Sequence, residues 1–259
     1  MSSTLAIQVG NLARRSVVRT LRQPAMVIPS LVFPMILWAI NSGGLKPATQ
    51  LPGFPTDSYL TFALAVTFVQ GALFAAMSAG TNVANDVETG FLNRLSLTPL
   101  RRASLLIGQL AGVVTLGLIQ SVTFVTVGAI AGAHFKAGVL GALVIVALAL
   151  LISLAFGSLG AFAALRTGSA EAVQGTFPLF FALLFFSSAF FPRETMTGWF
   201  KVVADANPIS YLVEAMRDQI VTGVELRPTL IGLGVVIAMA AAAVAGSHMA
   251  FRSRLRSAL

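Results

Sequence analysis

The chain has 259 residues, of which 56% are hydrophobic and only 10% are charged, and its formal net charge is +8. A soluble domain has about 25% charged residues, so this composition indicates an integral membrane protein. The absence of cysteine excludes disulfides and thiolate metal sites. The two histidines, His134 and His248, are far apart and lack the accompanying carboxylates that a zinc site would need.

Six segments are long and apolar enough to be predicted membrane spans, because a crossing helix needs about 20 apolar residues. They are Ala25–Gly44, Tyr59–Ala84, Ala103–Ala133, Gly138–Leu165, Ala172–Phe191 and Pro228–Phe251. They predict an all-α integral membrane fold that forms one transmembrane domain over residues 1–259. Its parts are an interface helix (1–24), spans one and two (25–84), a link (85–102), spans three to five (103–191), a helical segment (192–227), and span six with a tail (228–259).

Lysine and arginine are distributed unevenly between the loops on the two sides of the membrane. If both termini are cytoplasmic, eleven of the 17 basic residues fall inside: Arg14, Arg15, Arg19, Arg22, Arg94, Arg101, Arg102, Arg166, Arg252, Arg254 and Arg256. Basic residues concentrate in cytoplasmic loops. This orientation explains the net charge without nucleic acid, which we do not expect as a partner.

The N-terminal segment Leu5–Arg22 is amphipathic. Apolar residues recur every four positions from Leu5 to Leu21, and Arg15, Arg19 and Arg22 follow the opposite face. This pattern predicts a helix that lies in the membrane interface with its arginines near anionic lipid.

The link Asn85–Arg102 separates two uncharged spans. Asp86 and Glu88 are predicted to begin a short helix, because acids are favourable at a helix N-terminus. Phe91, Leu92 and Leu95 follow at helical spacing. Exposed apolar residues that lie together indicate a docking surface.

Segment Pro192–Leu226 is predicted to form two short amphipathic helices that enter the membrane partway. Asn207 is a good N-cap and Pro208 suits the first helical position. Leu212, Met216 and Ile220 repeat every four residues. The predicted polar side of this helix consists of Glu214, Arg217 and Asp218.

The chain has no phosphate-binding loop, since that motif ends in Gly-Lys-Ser/Thr. Its lysines, Lys46, Lys136 and Lys201, follow Leu, Phe and Phe. The predicted spans also lack acids suited to proton or sodium coupling. Energy therefore comes from a partner, or no energy is used.

Two motifs carry a resemblance to a known family. DVETGFLNRLSLTPLRR follows the second span, and ANPISYLVEAMRDQI precedes the last. In this order among six spans, the chain resembles an ABC-2 type permease, the membrane subunit of an ATP-binding-cassette exporter, and in particular the daunorubicin-resistance permease group.

The resemblance implies that the link is a coupling helix that docks into a groove of a separate ATPase. The predicted coupling residues are Asp86, Glu88, Gly90, Phe91, Leu92, Arg94, Leu95, Thr98, Pro99 and Arg101. It also implies that Asn207 and Pro208 belong to a reentrant extracellular gate. Expected partners are two ATPase copies and a second permease subunit, either a copy of this chain or a related permease.

The resemblance further implies that the chain binds no cofactor directly, because ATP and magnesium belong to the ATPase. The expected location is the inner membrane of a prokaryotic cell, with both termini in the cytoplasm. The family's second and fifth spans line the subunit interface. A substrate pathway for an apolar or amphipathic molecule is therefore predicted at Phe68, Gln70, Phe74, Met77, Phe180, Phe181 and Phe185.

Three other functions compete with an ATP-driven exporter. A passive channel of the aquaporin kind would need two Asn-Pro-Ala motifs, whereas Asn207 begins a single Asn-Pro-Ile. A secondary transporter would be expected to show inverted repeats, and no internal repeat is evident. An intramembrane enzyme would need a paired nucleophile and base, which the sequence does not display.

Overall fold

The computed structural model describes residues 2–91, 102–223 and 225–257, and over these ranges the chain is helical and has no strand. Two short 3₁₀ helices, Lys46–Gln50 and Arg193–Thr195, lie in connecting segments. The α-helices are α1 (Ser2–Leu21), α2 (Pro24–Gly44), α3 (Tyr59–Glu88), α4 (Arg102–Ile130), α5 (Gly138–Thr167), α6 (Ala170–Phe185), α7 (Gly198–Ala206), α8 (Pro208–Val221) and α9 (Leu226–Ser257).

Within the described ranges, five helices are long and apolar enough to cross a membrane, which confirms the all-helical membrane class. They are α2, α3, residues Gly108–Ile130 of α4, α5, and residues Leu226–Ser247 of α9. The sixth predicted span corresponds to α6, which has only 16 residues. At 1.5 Å per residue α6 is about 24 Å long, shorter than the roughly 30 Å hydrocarbon core. The count of six complete spans is therefore not established.

Helix α3 forms the centre of the bundle. It packs most extensively against α5 and also contacts α2, α4, α6 and α8. In an apolar 18-residue stretch of α3, 89% is buried inside the protein, compared with 17% in the corresponding stretch of α2. Ser58 caps its N-terminus by accepting a hydrogen bond from the Thr61 N–H at 3.3 Å. Helix α3 is thus the element against which the others are positioned.

Small residues allow α3 and α5 to approach closely. A Cβ atom added at Gly160 of α5 would lie 1.9 Å from the carbonyl oxygen of Ala76. Such contacts are typical of membrane helices, where close backbone packing replaces the hydrophobic effect as a source of association. Gly160 therefore sets the distance between the two helices.

Helix α1 lies along a glycine face of α4. A Cβ atom at Gly108 would lie 2.4 Å from Cβ of Leu12, and one at Gly112 would lie 2.5 Å from Oγ of Ser16. The α1 end of the bundle comprises α1, the C-termini of α3, α5 and α9, and the N-termini of α4 and α6. The α8 end comprises α7, α8 and the opposite termini of the same helices.

Candidate coupling and translocation sites

Asp86, in the last turn of α3, connects three helices at the α1 end. Asp86 is 4% exposed, and its carboxylate forms ion pairs with Arg15 and Arg19 of α1 at 2.9 and 3.0 Å. Gln109 of α4 donates a further hydrogen bond from Nε2 at 3.1 Å. A buried carboxylate is stable only with such partners. This cluster therefore fixes α1 against α3 and α4.

Glu88 connects the same end of α3 to α6. Its Oε1 accepts a hydrogen bond from the backbone N–H of Ala170, the first residue of α6, at 2.9 Å. Ser169 caps α6 by accepting from the N–H of Ala172 at 3.3 Å. A carboxylate at a helix N-terminus also interacts favourably with the helix dipole. Glu88 thus completes the start of α6.

The prediction that Asp86 and Glu88 begin the link helix is wrong, because α3 continues through Glu88. Acids at a helix C-terminus oppose its dipole, and here the arginines of α1 and the N-terminus of α6 compensate for them. The chain turns at Gly90, whose φ of 66° glycine adopts at little cost. Phe91 then packs against Arg15, whose guanidinium carbon is 4.1 Å from the ring centroid.

The other predicted coupling residues lie at positions 92–101, outside the part of the chain that the structure describes. They are Leu92, Arg94, Leu95, Thr98, Pro99 and Arg101. Their contact with an ATPase stays a prediction, as it does for Asp86, Glu88, Gly90 and Phe91. The described contacts show that two residues in the first part of the link, Asp86 and Glu88, are joined to α1 and α6.

Asn207 joins α6 to α8 at the other end of the bundle, and its predicted role as an N-cap is confirmed. Its Oδ1 accepts a hydrogen bond from the N–H of Ile209 at 2.9 Å, and Pro208 occupies the first turn of α8. Its Nδ2 donates to the carbonyls of Leu183 and Phe186 at 2.6 and 2.9 Å. Carbonyls in the last turn of a helix lack partners within the helix. One amide therefore satisfies the end of α6 and the start of α8.

Arg217 of α8 was predicted on the polar side of its helix, and this prediction is wrong. The residue is 4% exposed. Its Nη2 donates to the carbonyls of Ser188 and Ala189 at 2.8 and 3.0 Å, and its guanidinium lies 3.5 Å from the ring centroid of Phe62. The residue spacing could not predict this burial. Arg217 lies next to Met216 of the apolar stripe, and the carbonyls that accept its hydrogen bonds are distant in sequence.

Charged residues at the α8 end form a second cluster around Arg193. This arginine pairs with Glu214 and lies 3.5 Å from Asp205, with its guanidinium 4.4 Å from the ring centroid of Tyr211. Burial, followed by the nearby charge of Glu225, raises the pKa of Asp218 to about 6. The segment between α6 and α9 is thus held by charge pairs as well as by helix caps.

A row of phenylalanines joins α6 to α2 and α3. Along α6, ring centroids of Phe177 and Phe181 are 5.5 Å apart and those of Phe181 and Phe185 are 5.8 Å apart. Phe33 of α2 lies 5.8 Å from both Phe74 and Phe181. The structure therefore brings together three predicted pathway residues, Phe74, Phe181 and Phe185. Phe33 was missed because the resemblance implicated only the second and fifth spans.

Other predicted pathway residues lie elsewhere. Phe68 is buried against Phe124, with ring centroids 5.7 Å apart. Phe180 packs edge-on against Phe156 at 6.3 Å. Gln70 is buried beside a small void of about 10 Å³, and Met77 is half-buried. In this arrangement Phe68 and Phe180 contribute to core packing, and only part of the predicted set forms one continuous surface.

These features define a multi-span α-helical membrane protein whose N-terminal helix is anchored beside a charged link. Residues 7–221 match the ABC-2 type transporter family. Since this match covers most of the chain, the chain belongs to the ABC-2 type transporter family.

Curated proteins of bacteria and plastids are similar to the chain. It is 31% identical over 196 residues to the daunorubicin resistance ABC transporter permease protein DrrB1 of Streptomyces coeruleorubidus, covering 74% of this chain and 66% of that protein. It is 28% identical to the probable doxorubicin resistance permease protein DrrC of Mycobacterium tuberculosis, covering 61% and 59% respectively. The putative transport permease ycf38 of Pyropia yezoensis is 28% identical, with 83% and 75% covered. The matched regions thus span less than two thirds of both bacterial relatives, 66% of one and 59% of the other.

Proposed function

We propose that this chain is the membrane-spanning permease subunit of an ATP-driven exporter. It would move a hydrophobic or amphipathic molecule, such as a drug, an antibiotic or a lipid, out of the cytoplasm or the inner leaflet. The observation that carries this proposal is the family match over residues 7–221, which includes both the link and the Asn207 helix. The names of the bacterial relatives support drug export.

In this proposal a partner supplies the energy. The chain contains no phosphate-binding loop, so ATP and magnesium would be bound by a separate ATPase. Two ATPase copies would dock on the links of two permease subunits, the second permease being a copy of this chain. Docking from the cytoplasm requires the α1 end, and with it both chain termini, to lie on the cytoplasmic face of a prokaryotic inner membrane.

The contacts of Asp86 and Glu88 suggest how movement of the link would spread. Both residues lie in the first part of the link, at the end of α3, and their carboxylates hold α1 and α6. An ATPase that displaces the link would therefore move these helices together, as a rigid-body switch between two arrangements. At the opposite end, the amide of Asn207 would couple α6 to the proposed extracellular gate.

The phenylalanine row supports a pathway for an apolar or amphipathic substrate. Leu179, Leu183 and Phe185 of α6 are exposed. Exposed residues of α2 adjoin them through the contact between Phe33 and Phe181. Two copies that meet on this side would place aromatic rings along their shared interface.

Co-purification tests the proposal directly. The tagged chain would be co-expressed with the ATPase encoded beside it and purified in mild detergent. We expect both proteins in about equal amounts, and we expect Leu95→Asp to abolish retention of the ATPase while the permease still inserts. A charge in an apolar docking patch leaves an unpaired group at the interface.

A matched variant controls for the added charge. Leu51→Asp alters an exposed leucine at the α8 end and should retain the ATPase. A wild-type chain that purifies without any ATPase would contradict the proposal. It would instead favour an ATP-independent carrier or a passive channel.

A further inference from the structure

A cavity of about 530 Å³ lies inside a single subunit at the α1 end. Its walls come from α1, α3, α4, α5 and α9, so it is separate from the phenylalanine row. The volume falls within the range of about 300–1,000 Å³ that is typical of small-molecule sites. The cavity is therefore large enough to bind a molecule or a substantial part of one.

The cavity is amphipathic. One side carries the Arg15–Asp86–Arg19 cluster and small polar side chains such as Ser16 and Asn82. The rest of its lining is predominantly apolar, with Leu110, Val113, Ala161 and Val244 among the residues that form it. The polar side and the apolar side of the cavity together match a ligand with a polar head and an apolar body.

The charged side is electropositive. The acid that lines the cavity, Asp86, already accepts hydrogen bonds from both arginines and from Gln109. Arg19 donates from Nη1 both to Asp86 and to the carbonyl of Asn82. Its Nε and Nη2 take no part in these two contacts. A cationic ligand would meet two arginines and a neutralised acid, whereas an anionic head would meet donors in a suitable fork geometry.

The surface beside the cavity extends this positive charge. Arg14 and Arg22 line an adjoining groove on α1 together with Arg15 and Arg19. Anionic headgroups are attracted to such basic clusters at a membrane surface. The groove therefore offers an approach for an acidic head from the leaflet at this end.

The apolar side opens along α9. Ala241, Val244 and Ala245 line the cavity and are exposed, as is their neighbour Ala242, which does not line it. A molecule in the membrane could therefore enter sideways, placing its chain against these small residues while its head remains near the arginines. Entry would not require passage through the interface between two subunits.

We propose that this cavity binds one anionic amphiphile from the adjoining membrane leaflet, a phospholipid or a molecule of the same design. Its acidic head is held by Arg19 and Arg15, and its acyl chain lies against Ala241 and Ala245. This inference rests on the proposed function and deepens it, because it names the chemical class that the permease takes up from the leaflet.

Photo-crosslinking in nanodiscs tests the site. Purified protein in a phosphatidylcholine bilayer receives a trace of phosphatidylglycerol or of phosphatidylcholine, each with the same diazirine-bearing acyl chain. Crosslinked positions are then mapped by mass spectrometry. We expect phosphatidylglycerol to label residues 241–247 roughly fivefold more than phosphatidylcholine does, a difference that a single charge-assisted contact can supply.

Paired variants separate the cavity from the surrounding lipid. Ala245→Phe and Ala241→Phe should fill the cavity and reduce this labelling several-fold. Ala242→Phe makes the same change at an exposed position of α9 that does not line the cavity, and labelling should persist. Arg19→Gln should remove the preference for phosphatidylglycerol. Arg166→Gln, at an exposed position of the same end that lines neither the cavity nor the groove, should preserve it.

Two results would overturn the inference. One is equal labelling of residues 241–247 by the two lipids in the wild-type protein. The other is labelling that Ala245→Phe and Ala241→Phe leave unchanged. Because this readout requires neither ATP nor a partner, its failure is distinguishable from a failure of the proposed function, which the ATPase co-purification reports.

Discussion

Asn207 shows how one side chain can determine where two helices end and begin. Replacement by alanine removes the cap of α8 and both donors to α6. Replacement by aspartate keeps an acceptor for the Ile209 N–H but turns a carboxylate oxygen toward the carbonyls of Leu183 and Phe186. The two variants therefore separate capping from the connection to α6.

We expect both Asn207→Ala and Asn207→Asp to lower the free energy of unfolding, by about 1–3 kcal/mol each. The aspartate variant should be at least as unstable as the alanine variant, because it adds repulsion to the lost donors. Thermal unfolding in detergent measures the difference. If Asn207→Asp were as stable as wild type, capping of α8 alone would explain the contribution of Asn207 to stability.

Asp218 makes stability depend on pH. Burial, and secondarily the charge of Glu225, raises its pKa from 3.8 to about 6. Between these two values the folded protein retains a proton that the unfolded chain has released. Stability contributed by this group is therefore present at low pH, decreases as pH rises through the window of about 4 to 6, and is constant above it.

Asp218→Asn should remove this pH dependence and stabilise the protein at pH 7.5. The expected gain is on the order of 1 kcal/mol, because solvent near this partly exposed residue weakens the effect. Melting temperatures of wild type and variant from pH 4 to pH 8 provide the measurement. Asp57→Asn, at an exposed loop position, is the control. If the melting temperature of Asp218→Asn changed with pH in parallel with that of wild type, the prediction would be contradicted.

At the scale of elements, the contact between α3 and α5 depends on the missing side chain of Gly160. Gly160→Ala would force a methyl group against the carbonyl oxygen of Ala76, so the helices must separate. Overpacking costs about 1–3 kcal/mol and sometimes more. Gly175→Ala is the matched control, since no atom lies within 4 Å of its added Cβ. We expect loss of monodisperse protein only for Gly160→Ala, measured by size-exclusion chromatography.

Local signals made several elements predictable from sequence. The five long spans follow from apolar length, α1 follows from its four-residue repeat, and the start of α8 follows from the Asn207–Pro208 pair. The early end of α6 is satisfied by the side-chain amide of Asn207, and the burial of Arg217 depends on the carbonyls of Ser188 and Ala189; in both cases the partners are distant in sequence. The same is true of Asp86, whose partners Arg15 and Arg19 come from another helix, so spacing within the link could not predict its position.

At the scale of the whole molecule, the apolar residues exposed on α6 and α2 predict the packing surface for the second copy that the proposed function requires. The chain has no cysteine, so single cysteines can be introduced without background. We expect Leu179→Cys, on exposed α6, to give dimers with a flexible bis-maleimide in native membranes. Leu143→Cys, equally exposed on α5, should remain monomeric. Dimers from Leu143→Cys alone would place the interface on α5 and not on α6.

The length of α3 gives the molecule a mechanical property. Ala76, against which Gly160 of α5 packs, lies ten residues from Asp86 and fourteen from Phe62. At 1.5 Å per residue these separations are about 15 Å and 21 Å. If α3 tilts as a rigid lever with Ala76 as its fulcrum, a displacement at the Asp86 end reappears at Phe62, reversed in direction and enlarged by roughly 40%. The backbone beneath Arg217 would then move further than the end that was pushed.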